Sequence, residues 1–182
     1  MNIDQPGGHL DHMIRQTRMN LVQLSYMADV KASMLLTVAS LVMTLAARYL
    51  SEPDLRPGIL VLTVFCLITV VLATYAAMPK LPLNRPASPG DVQNPTFNLL
   101  FFGDFSRLGQ QDFENAMETV MNDPSGTYAA QIRDIYTLGC FLASSKYRFV
   151  RWAYLSFMIG LFVTAAVVAL SGWPRFQSLF GL

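Results

Sequence analysis

Phe102-Gly103-Asp104-Phe105 followed by Arg107 places aromatic rings, a glycine and a guanidinium within a few residues of one another. Glycine lets the chain bend, aromatic faces stack on planar bases, and an arginine fork pairs with a phosphate. The same stretch also reads as an apolar plug that docks a loop onto helices, with Asp104 capping or pairing, and both roles are compatible. Asp29 and Lys31 stand at the mouth of an apolar run. Lys31 reads either as an interfacial cation that extends to the lipid head groups, or as an inward charge that pairs with an acid and gates the bundle. Arg18, Lys146, Arg148 and Arg151 carry the same ambiguity, and a topology signal alone would explain the last three. His9 and His12 flank Asp11 at the start of a helix with no third ligand in sequence, so no metal site is expected. No Ser/His/Asp set, acid/base pair or glycine-rich phosphate loop is present, so no catalytic residue is assigned, no cofactor is called for and no enzyme is expected.

The elements that must position these residues are dominated by three charge-free apolar runs, Ala32–Ala47, Pro57–Pro79 and Trp152–Pro174. A helix rises about 1.5 Å per residue and the hydrocarbon core is about 30 Å thick. The second and third runs therefore span a bilayer unaided. The first is shorter, and Tyr49 and Leu50 extend it if Arg48 snorkels. Buried helices of a soluble bundle would carry a polar stripe that these runs lack. Apolar residues make up 53% of the chain and charged residues 14%, against about 25% charged in soluble domains. The fold class expected is an all-α integral membrane protein with three transmembrane helices, the first and third extended into cytosolic helical stalks of an oligomeric bundle.

Orientation follows from the basic residues. Arg15, Arg18 and Lys31 precede the first span, and Lys80, Arg85, Arg107, Arg133, Lys146, Arg148 and Arg151 lie between the second and third. Arg48 and Arg56 lie between the first two spans, and Arg175 in the tail. This bias places the N-terminus and the middle segment in the cytoplasm. The opening residues have neither a basic stretch nor an apolar core, so no cleavable signal is expected. Cys66 and Cys140 read as small apolar residues, not a disulfide.

Along the chain, residues 1–8 are expected to be disordered, 9–31 a cytosolic helix, 32–50 and 57–78 the first two spans. Residues 79–151 form a cytosolic segment, 152–173 the third span and 174–182 a periplasmic tail. Leu10, Ile14, Thr17, Leu21, Leu24 and Ala28 recur at heptad spacing, a stripe that faces another helix of this chain or of a second copy. The middle segment opens with a Pro-rich loop and the aromatic loop around Phe102. An amphipathic helix from about Gln110 to Met121 shows Phe113, Met117, Val120 and Met121 on one face. Asn122-Asp123-Pro124 ends it and caps the next helix, on which Tyr128, Ile132, Ile135, Gly139 and Leu142 keep heptad spacing. No breaker appears from about Gly126 to Leu170, which predicts a helix about 65 Å long.

Ala28-Asp29-Val30-Lys31-Ala32-Ser33 with Leu35-Leu36 resembles the opening signature of the transmembrane effectors of Pycsar, the bacterial pyrimidine-cyclase antiphage system. The order continues with Phe102-Gly103-Asp104-Phe105, an acidic amphipathic helix, Asp134-Ile135 and Lys146-Tyr147 ahead of a last span, so the resemblance covers about residues 10–170. It implies a multi-pass protein of the bacterial inner membrane, encoded beside a pyrimidine cyclase. On infection the cyclase makes cyclic UMP (cUMP) or cyclic CMP (cCMP), the effector impairs the membrane, and the cell dies by abortive infection. The implied partners are the membrane, further copies of the chain and the cyclic mononucleotide, with no DNA or RNA.

A cyclic mononucleotide carries one phosphodiester charge and a π-face, so its site needs one or two cations and an aromatic. Phe102, Phe105, Arg107, Arg133, Lys146 and Tyr147 supply those types, and Asp29 and Lys31 are the candidate gating charges. The alternative is a membrane-anchored helical scaffold that recruits a soluble partner without sensing a ligand. A third reading, a constitutive channel or transporter, is disfavoured by spans without an acid, base or histidine. A nucleotide cyclase encoded next door would separate the first reading from the second.

Overall fold

The computed structural model describes residues 7–78, 86–94 and 96–180, with side chains described as far as Ser171. Among these residues the secondary structure is helical throughout, with no strand. Six α-helices follow in order: α1 Gly8–Ala47, α2 Arg56–Ala77, α3 Phe102–Phe105, α4 Gln110–Met121, α5 Pro124–Phe141 and α6 Arg148–Phe180. A 3-10 turn occupies Pro89–Gln93, and a π-helical turn, Leu142–Tyr147, joins α5 to α6. α1, α2 and the α5–α6 run are each long and apolar enough to cross a membrane. The described parts of the chain divide into two compact units, Met1–Ser25 with Pro79–Ala143 and Tyr26–Met78 with Ser144–Leu182.

Local chemistry sets the helix ends. Gly7 O accepts from Leu10 N and Asp11 N, so α1 begins at Gly8; residues 1–6 of the segment expected to be disordered lie outside the described residues. Pro57 sits in the first turn of α2, where its missing N–H costs nothing. Asp123 caps α5 by accepting from Ser125 N at 3.0 Å, with Pro124 opening the helix. The Pro-rich loop falls partly on 79–85 and 95, outside the described residues, together with Lys80 and Arg85. α6 continues past Trp173 to Phe180, into the segment read as a periplasmic tail.

In the first unit, α4 lays Phe113, Ala116, Met117 and Val120 against Ala87, Phe97 and Leu99. Met121, expected on that face, is exposed. In the second unit the helices meet through small side chains. Ala28, Ala32, Ala73, Ala76 and Ala153 are buried together with Leu35 and Val150. Small residues let backbones approach, which is how helices pack where no water drives them together. A Cβ on Gly160 would collide with Phe65 of α2, and one on Gly58 with Val168 of α6. The large side chains Val71, Phe162 and Leu170 point outward and are exposed, as a lipid solvent requires.

Candidate functional site

The first unit holds a polar network that begins at Asn98. This side chain is 1% exposed, the only polar residue between Phe97 and Phe102. Its Nδ2 donates to Asp134 Oδ1 at 3.1 Å, its Oδ1 accepts from Leu100 N at 3.0 Å, and its own N–H donates to Asp104 Oδ2 at 3.0 Å. Asp134, on α5, is buried and its second oxygen lies 3.0 Å from Arg18 Nε on α1. A buried carboxylate persists only with such compensation. Nearby, Tyr128 OH donates to Asp11 at 2.7 Å, a bond that raises the phenol above its ordinary pKa because ionisation would lose the donor.

These residues border a cleft of about 400 Å³ lined by Asp11, Ile14, Arg15 and Arg18 of α1, Gln131 and Asp134 of α5, and Leu100. The α1 positions are spaced three, four and seven apart and therefore share one helix face. Gln131 and Asp134 share a face for the same reason. Asp11 and Asp134 are each held by a donor of the unit itself, whereas exposed Arg15 has no ion pair among the described residues. Arg18 meets Asp134 through Nε, and a guanidinium has five N–H donors. Arginine donors, a carboxamide and two apolar walls from Ile14 and Leu100 suit a small anion that carries a planar polar ring.

The six ligand residues named from the sequence fall in both units. Phe102, Phe105, Arg107 and Arg133 belong to the first unit, Lys146 and Tyr147 to the second. Phe102-Gly103-Asp104-Phe105 is a one-turn helix, not an open loop, because Phe101 O accepts from Asp104 N and Phe105 N. Phe102 is exposed, and the Phe105 ring packs on Phe113 at 5.1 Å. A Cβ on Gly103 would press on the Phe101 ring, which would have to shift. Arg107 lies 3.8 Å from Asp104 and borders a hollow of about 160 Å³ that Asp91 also lines, a poor environment for an anion. Arg133 donates to Phe97 O at 3.4 Å. A third cleft, along α4, is lined by Glu114 and Glu118 and repels anions.

In the second unit Lys146 Nζ donates to both oxygens of Asp29, at 2.8 and 2.7 Å, while Lys31 is exposed. The acid at the mouth of the first apolar run therefore pairs with the π-turn cation, not with Lys31. Tyr147 packs against the buried alanine cluster beside it. No group of three or more His, Cys, Asp or Glu among the described residues is placed to hold a metal. Sequence reasoning missed Asn98, Arg15 and Gln131. The signals were a lone Asn in an apolar run, and polar residues at helical spacing beside the stripe.

The fold and these clusters define an all-helical membrane protein with a charged cleft in the unit that holds α5 and the first part of α1. The profile of the PycTM family, the Pycsar effector protein domain, matches residues 12–173, and the chain belongs to that family of antiphage membrane effectors. Neither a curated protein nor a solved structure matches it. The stretches that carry the resemblance have structural roles in this chain: Asp29 meets Lys146, and Asp104 and Asp134 both hold Asn98.

Proposed function

We propose that this chain is an inner-membrane effector of abortive infection, activated by a cyclic pyrimidine mononucleotide, cUMP or cCMP, and acting by impairing the membrane. The N-terminal region and the segment between the second and third spans face the cytosol on this reading, where a cyclase product is available. The observation that carries it is the continuity of α1, one helix that holds both the Asp11–Arg18 face and the apolar run Ala32–Ala47. A ligand that favours one placement of α1 beside α5 biases whatever those helices continue into. The three runs contain no acid, base or histidine, so a leak through them requires their rearrangement, and self-association supplies enough surface for it. The test is membrane potential in cells that express the chain with or without a pyrimidine cyclase. Depolarisation only with the active cyclase supports the proposal. Equal behaviour with an inactive cyclase favours an anchored scaffold.

A further inference from the structure

We infer that the α1–α5 cleft is the ligand site, taking a phosphodiester monoanion with one planar pyrimidine ring; this rests on the reading just given. Charge balance narrows the ligand. Arg15 and Arg18 are offset by Asp11 and Asp134, so the cleft is formally neutral, which favours a monoanion over a dianion. A cyclic phosphodiester carries one such charge, whereas a nucleoside 5′-monophosphate carries nearly two. Size narrows it further, because about 400 Å³ lies toward the small end of ligand pockets and suits a single nucleotide.

Each wall has a task. Arg15 supplies the guanidinium not committed to an ion pair among the described residues, and Arg18 adds its outer donors while Nε stays on Asp134. The Gln131 carboxamide presents a donor and an acceptor side by side, the pattern that matches an edge of uracil or cytosine. Ile14 and Leu100 flank the ring. Arg15 stands on α1 and Gln131 on α5, so a ligand held by both ties the two helices together.

The test uses the full-length chain in detergent and measures binding of cUMP, cCMP, 5′-UMP and inorganic phosphate by calorimetry. Arg15→Ala and Gln131→Ala are read against the wild type, with elution volume and thermal melting as fold controls. Arg18 is left intact, because its loss would strand buried Asp134. At least a tenfold loss for Arg15→Ala, a several-fold loss for Gln131→Ala, partial recovery in Arg15→Lys and weaker binding of 5′-UMP are expected. Wild-type binding of cUMP or cCMP with both alanine variants unchanged overturns the cleft and leaves the proposed function standing. No binding of either cyclic nucleotide by the wild type overturns the proposed function and the cleft's ligand with it.

Discussion

Lys146, in the π-turn, donates to both carboxylate oxygens of Asp29 on α1. Asp29 is partly solvated, so the pair is weaker than a fully buried one and stronger than a loose surface contact. A double-mutant cycle with Asp29→Asn and Lys146→Met, read by denaturant unfolding in detergent, is expected to give a coupling of about 1 kcal/mol. Additive effects would show that the pair holds nothing.

The buried Asn98 side chain makes two hydrogen bonds in the first unit. Asn98→Ala removes hydrogen bonds to Asp134 and Leu100 and leaves polar groups unpaired, at an expected cost of about 2–4 kcal/mol. Asn98→Asp should be worse, because it aims a second carboxylate at Asp134. Limited proteolysis of the middle segment checks both, and a variant as resistant as the wild type would contradict the network's role.

Of the two glycines where α2 and α6 approach, Gly160 should tolerate a side chain least. Gly160→Val is expected to lower the yield and melting temperature of the folded protein, because its Cβ meets the fixed Cβ of Phe65. Gly139→Ala is the control. Nothing lies within 4 Å of its Cβ, and alanine there should stabilise α5 by up to about 1 kcal/mol. Melting curves of both variants decide the point.

Orientation is open to a direct check. Reporter fusions at Asp54 and Asp91 should report the periplasm and the cytosol, respectively, as the Lys and Arg distribution requires. The reverse result would put the cleft on the side away from a cytosolic cyclase.

Helical content and the apolar spans were readable because periodicity and charge exclusion are local properties of the chain. The α4 face was readable in the same way, through Phe113, Met117 and Val120. The π-turn was not, since Leu142–Tyr147 contains no breaker and its hydrogen-bond register is set by packing. Of the stripe on α1, Ile14 and Ala28 are buried, while Thr17 and Leu24 are exposed. The site was harder. Arg107 was attractive beside aromatics in sequence, but Asp104 and Asp91 turn up beside it in the fold. Arg15 and Gln131 acquire meaning only when α1 and α5 lie side by side, a pairing that one sequence does not disclose.

The most direct test of the whole account is dye release from liposomes that contain the purified full-length chain. Release on adding cUMP or cCMP, without release on adding cyclic AMP or 5′-UMP, is the predicted result. Release that is the same with and without nucleotide, or no release with either cyclic pyrimidine nucleotide, would contradict it.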